Sequence, residues 1–111
     1  MRKFVLLFAS VVLFAIPALS ETFNDVPVVD KNCSSKVAAN PDAHTRECAL
    51  KCAASGYGIV TSDQKFLKFD ADGNAKIKEA LQASDKKDHL RVDVSGDVEN
   101  DTLKVKSIKL L

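Results

Sequence analysis

The C-terminal part of the chain has the clearest alternation of hydrophobic and polar residues. Apolar residues alternate with charged or hydroxyl residues over residues 90–95, and after a polar turn at residues 99–101 the alternation resumes at Leu103 and Val105. A period of two is typical of strands that bury one face. The pattern therefore predicts a β-hairpin that runs to the end of the chain.

Two positions in this hairpin indicate a curved sheet. Gly96 falls on the inward-facing side of its strand, where a missing side chain permits a sharp bend. In the last strand the apolar residues change parity between Val105 and Ile108, so we expect a β-bulge near Ser107 that keeps both side chains inside. Strands that are bent and bulged in this way are typical of a small barrel.

The preceding residues predict five further elements, each indicated by its period or by its terminal residues. Asn40, Pro41 and Asp42 suit the start of a helix, and Gly56 suits its left-handed end. In chain order we expect a strand over residues 26–29, a helix from Pro41 to about Ser55, strands over residues 57–61 and 65–69, and a short helix from Asp72 to Ser84.

This order of elements predicts an α+β or mainly β fold. It matches a small five-stranded OB-like barrel with a helix bearing cysteine and histidine inserted after the first strand and a second short helix before the C-terminal hairpin. A simpler mixed α+β sheet is the alternative, because the same elements can also form an open sheet.

The N-terminal segment, residues 1–20, has a different composition from the rest of the chain. Two basic residues precede an apolar run over residues 4–16, and small residues occupy the two positions that a signal peptidase reads. A helix of this length spans only about 20 Å, which is less than the membrane core. We therefore predict a signal peptide over residues 1–20, one domain over residues 21–111, export to the periplasm or the outside of the cell, and no stable membrane insertion after cleavage.

Charge and aromatic content exclude several functions. The chain has 16 basic and 15 acidic residues, and removal of residues 1–20 leaves a net charge near −1 with only four aromatic residues. Binding of single-stranded nucleic acid needs a basic groove with stacking aromatics, so we expect no nucleic-acid partner. The chain contains no hydrolase motif and is too short for a deep cleft. We expect a binding domain, not an enzyme, whose partner is a protein or a small ligand.

Cys33, His44, Cys48 and Cys52 together form the candidate chemical site. The last three are spaced four residues apart, so they would line one stripe of the predicted helix, and Cys33 lies on a loop that can fold back over it. Three thiols and one imidazole close a tetrahedral zinc shell and also suit Cu(I). The spacing therefore predicts a Zn or Cu site at these four residues.

The same cysteines have a structural alternative. In an oxidising compartment Cys33 would pair with Cys48 or Cys52, and the disulfide would contribute about 3 kcal/mol to a small domain. One thiol would remain unpaired. The protein would then be a disulfide-stabilised interaction domain with no metal and no catalytic activity. Thiol redox catalysis is less well supported, because the C-x-x-C arrangement is absent.

The stretch from Cys33 to Phe69, and with it the C-terminal hairpin, resembles a group of small exported bacterial proteins of unknown function. The similarity lies in His44-Thr45-Arg46-Glu47-Cys48-Ala49-Leu50-Lys51-Cys52 and in Gly56-Tyr57-Gly58-Ile59-Val60. The resemblance implies a bacterial source, an OB-like barrel that follows a Cys loop and a His/Cys helix, and a shared role for the four candidate residues, but no activity. Such proteins often have a second histidine after the first cysteine, where this chain has Ser34-Ser35-Lys36-Val37.

Overall fold

A computed structural model describes residues 19–111, so the predicted signal peptide over residues 1–20 lies almost entirely outside the described part. Within that part, no helix has the length and hydropathy needed to cross a membrane. The strands are β1 (Leu19–Asp30), β2 (Tyr57–Val60), β3 (Phe66–Phe69), β4 (Arg91–Glu99) and β5 (Thr102–Leu110). The helices are α1 (Ser34–Val37), α2 (Arg46–Lys51) and α3 (Ala71–Ala83), with 3₁₀ turns at Lys31–Cys33, Pro41–Ala43 and Ala53–Ser55.

The five strands close into a barrel in the order β1-β2-β3-β5-β4. Neighbouring strands are antiparallel except β3 and β5, which run parallel. The long strand β1 pairs with β2 on one side and with β4 on the other, and this second pairing closes the barrel. The expected small OB-like barrel is therefore confirmed, and the open sheet is excluded.

Helix α3 confirms the short apolar stripe expected before the C-terminal hairpin. Asp70 is its N-cap, because the side chain accepts a hydrogen bond from the backbone N–H of Gly73 at 3.0 Å. Ile77 and Leu81 are fully buried and join the barrel core. The other members of this core come from all five strands and from α2, and include Val28, Ala49, Ile59, Phe69, Val92 and Leu103.

The expected bend and bulge are both present in the C-terminal hairpin. Lys106 is the extra residue of β5, between the partners of Ser95 and Gly96, so the bulge lies next to its expected place at Ser107. A side chain at Gly96 would collide with the carbonyl oxygen of Lys104, because the two strands approach closely there. The bend thus requires glycine at this position.

The helix expected from Pro41 to Ser55 is wrong in its extent. The segment forms two 3₁₀ turns and the short helix α2, and His44 between them has extended backbone with ψ near 133°. Thr45 starts the new helix by accepting a backbone hydrogen bond through its side chain. The backbones of Asp42 and Arg46 bond to the loop before β4 instead of to a continuous helix. The histidine and the two later cysteines therefore do not share one helical stripe.

Replacing Gly96 with Ala should lower the free energy of unfolding by about 1–3 kcal/mol, because the added methyl group must displace the β5 backbone. Urea denaturation measures this change. Asp97→Ala is a suitable control at the next position, since its ion pair with Lys106 is long at 3.5 Å, the lysine side chain is 63% exposed, and such a pair contributes less than about 1 kcal/mol. Equal stability of Gly96→Ala and the wild-type protein would contradict the close approach.

Candidate metal centre

A fully buried carboxylate ends strand β1. Asp30 has no exposed surface and pairs with Tyr57 of β2 in the sheet. Its Oδ2 accepts a hydrogen bond from the backbone N–H of Cys33 at 3.1 Å, and this bond starts the 3₁₀ turn that follows the strand. The bond also fixes Cys33 beside the carboxylate. Because a buried carboxylate is unfavourable unless its oxygens are partnered, the remaining Oδ1 needs a cation or a donor.

The imidazole of His44 faces that second oxygen. Its Nε2 lies 2.6 Å from Asp30 Oδ1, and the two side chains are 3% and 0% exposed. The contact is an ion pair when the imidazole is protonated, but within the described part of the chain neither atom has a hydrogen-bond partner. Two buried polar atoms thus face each other without a hydrogen bond, an arrangement that serves either as an ion pair or as two donors to a bound cation.

Cys33 supplies a third donor to the same space. One donor atom from each of Asp30, Cys33 and His44 lies within 4.8 Å of the other two. Burial, followed by the negative charge of Asp30, raises the pKa of the Cys33 thiol. A raised pKa is the opposite of what an activated nucleophile requires, so this environment disfavours thiol catalysis. A metal ion would replace the thiol proton and bind the sulfur as thiolate.

The structure brings together two of the four residues predicted from the sequence. Cys33 and His44 belong to the buried group, whereas Cys48 is exposed on α2 and Cys52 is half-buried at the C-cap of that helix. The charge of Cys52 contributes to the raised pKa of Cys33, so these two thiols share one neighbourhood. All three cysteines are unbonded thiols, so the disulfide alternative is not realised in this structure.

Asp30 is the site residue that the sequence analysis missed. The available signal was its position two residues after Val28 on the same strand, because residues at i and i+2 face the same side of a sheet. Since Val28 belongs to the core, a carboxylate at position 30 points to the interior as well. A second signal was its location three residues before Cys33.

An ion pair attaches the segment before His44 to the barrel. Arg91 of β4 donates hydrogen bonds from Nε and Nη2 to the two carboxylate oxygens of Asp42, each at 3.0 Å. The backbone N–H of His44 donates to the carbonyl of Pro41 at 3.1 Å, which continues the same turn. The position of the imidazole therefore depends on a strand far along the chain. The Arg91 hydrogen bonds lower the pKa of Asp42.

The group offers one carboxylate oxygen, one imidazole nitrogen and one sulfur. Zn²⁺ accepts all three donor types, with bond lengths of about 2.0–2.3 Å. A tetrahedral zinc would separate Asp30 Oδ1 and His44 Nε2 to about 3.3 Å, so binding would push these side chains apart slightly. The group could therefore hold a metal ion.

Comparison with known protein families, curated proteins and solved structures finds no match to this chain.

Replacing Asp42 with Asn should lower the free energy of unfolding at pH 7 by about 1 kcal/mol, since the ion pair with Arg91 is two-thirds buried and bidentate. The folded-state pKa of Asp42 is lowered, so this stabilisation is fully present above the ordinary carboxyl pKa of about 3.9 and is lost as pH falls through the lower folded value. Urea unfolding at pH 7 and at steps below pH 4 should show the difference shrinking.

Glu99→Gln is the matched control for this variant. Glu99 accepts from Lys104 at 3.0 Å in a pair that is about half exposed, so its loss should change stability by less than about 0.5 kcal/mol. A difference between wild type and Asp42→Asn that stays constant down to low pH would contradict the role given to the Asp42 carboxylate.

Proposed function

We propose that this chain is an exported binding domain that holds one Zn²⁺ through Asp30 Oδ1, Cys33 Sγ and His44 Nε2. The observation that carries the proposal is the pair of buried atoms of Asp30 and His44 that face each other at 2.6 Å without a hydrogen bond, beside the sulfur of Cys33. A divalent cation bound by both atoms would neutralise the carboxylate and accept the imidazole lone pair. Export rests on the N-terminal sequence over residues 1–20.

The donor set supports zinc over copper. A site of three thiols and one imidazole would suit Cu(I) as well as Zn²⁺, but Asp30 introduces a hard carboxylate oxygen into the group. Cu(I) binds soft thiolate and thioether donors in preference to oxygen, whereas Zn²⁺ accepts oxygen, nitrogen and sulfur together. Replacement of a predicted sulfur donor by oxygen therefore favours Zn²⁺.

The burial of the group supports ion binding as its function and not catalysis. Asp30 and His44 are almost fully covered, and only Cys33 is partly exposed, so an ion would enter and leave on the side of the thiol. Three protein ligands leave one position for a further donor. The raised pKa of Cys33 means that this thiol is not an activated nucleophile, so we propose that the domain stores, senses or transfers the metal.

The reduced protein, purified after expression of the full chain, should bind one equivalent of Zn²⁺ in competition with a chromophoric chelator under anaerobic conditions. Cys33→Ser and His44→Ala should each weaken binding at least about 100-fold, because loss of a direct ligand exceeds the 10–100-fold effect of outer-shell changes. Cys48→Ser is the matched control, since this exposed thiol lies outside the group, and it should bind as the wild-type protein does.

Asp30→Asn separates metal ligation from the structural role of the same side chain. An asparagine oxygen can still accept the hydrogen bond from the Cys33 N–H, so the turn after β1 should persist, as circular dichroism would check. The lost carboxylate charge should weaken zinc binding at least about tenfold. Normal affinity in Asp30→Asn together with loss of affinity in Cys48→Ser would overturn this ligand set in favour of the three thiols and the imidazole.

A further inference from the structure

The residues before Cys33 are bonded directly to the residues after Cys52. The backbone N–H of Lys31 donates to the carbonyl of Gly56 at 2.8 Å. The backbone N–H of Asn32 donates to the hydroxyl of Ser55 at 3.3 Å, and this hydroxyl donates in turn to the carbonyl of Cys52 at 2.8 Å. One hydroxyl group thus connects the neighbour of Cys33 to Cys52.

The two side chains occupy the same half-buried region. Cys33 and Cys52 are both partly covered, and the pKa of the Tyr57 hydroxyl is raised by burial and then by the charges of Asp30 and Cys52. Tyr57 therefore lies close both to the carboxylate of the metal group and to the second thiol. Cys48, one turn earlier, is exposed to solvent.

We propose that Cys33 and Cys52 form a redox pair that controls the metal centre: the dithiol state binds Zn²⁺ through Cys33, and a Cys33–Cys52 disulfide releases it. This proposal rests on the proposed function, because it concerns the same Cys33 sulfur. A sulfur in a disulfide has no thiolate charge to give to an ion, so metal binding and disulfide formation exclude each other.

The oxidant is a disulfide of the class R–S–S–R, such as oxidised glutathione or the active-site disulfide of a thiol oxidoreductase. The thiolate of Cys52 attacks one sulfur and expels RS⁻, which gives a mixed disulfide. The thiolate of Cys33 then attacks the Cys52 sulfur and expels the second RS⁻, and Zn²⁺ leaves. Two electrons pass from the protein thiols to R–S–S–R, one proton comes from Cys52, and the Cys33 proton was already displaced by the metal.

The test is to incubate the zinc-loaded protein with oxidised glutathione while a chromophoric indicator reports free zinc. Intact-mass and peptide mass spectrometry then identify the disulfide. We expect one zinc released for each Cys33–Cys52 bond, with loss of two hydrogens from the protein. Cys48→Ser should behave as the wild-type protein does. Cys52→Ser should release zinc at least about tenfold more slowly, since the thiol that begins the exchange is lost and only the zinc-bound sulfur of Cys33 remains to attack the oxidant.

The outcomes distinguish the two proposals. Zinc that stays bound after the Cys33–Cys52 bond has formed would overturn the switch while leaving the proposed function intact, and so would a Cys33–Cys48 bond as the product. If the reduced protein binds no zinc at all, the proposed function fails and the switch fails with it. Disulfide mapping on that zinc-free protein would still decide whether Cys33 and Cys52 pair.

Discussion

A carboxylate buried at the end of β1 constrains the whole insertion between the first two strands. Asp30 cannot remain in the interior without partners, and the chain approaches it from two directions. Immediately afterwards the backbone turns so that the N–H of Cys33 reaches one oxygen, and further along the insertion the chain returns so that His44 faces the other. The 3₁₀ turn after β1 and the extended backbone at His44 place these two groups against the carboxylate.

Local signals in the sequence favoured the barrel over the alternative of a simpler mixed sheet, which only the structure excludes. The alternation around Gly96 and the parity change before Ile108 depend only on which side chains face inward, and the observed bend and bulge match both. The insertion could not be predicted in the same way. Asn40, Pro41 and Gly56 are good helix boundaries, but the distant loop before β4 prevents one continuous helix. The Asp42 carbonyl accepts a backbone hydrogen bond from that loop, and the Arg46 N–H donates one to it.

The buried group of Asp30, Cys33 and His44 was also only partly predictable from the local sequence. Cys33 and His44 were identified because thiols and imidazoles are rare and chemically distinctive, whereas Asp30 was missed because acidic residues are common and usually exposed. Cys48 was included only because a helical spacing placed it beside His44. Once that helix is interrupted, the four-residue spacing no longer places Cys48 beside His44, and burial becomes the better guide to which side chains lie together.

The Arg91 side chain has a consequence for the order of events during folding. It bonds both to Asp42 and to the carbonyl of Asp25, two residues far earlier in the chain, and the same strand closes the barrel against β1. Such non-local contacts form late, because chain entropy must be lost before they can contribute. The thiols and the imidazole, in contrast, all lie between Cys33 and Cys52 and are synthesised well before β4. In a chain made from its N-terminus, these side chains therefore exist before the strand whose pairing with β1 closes the barrel over Asp30 and His44.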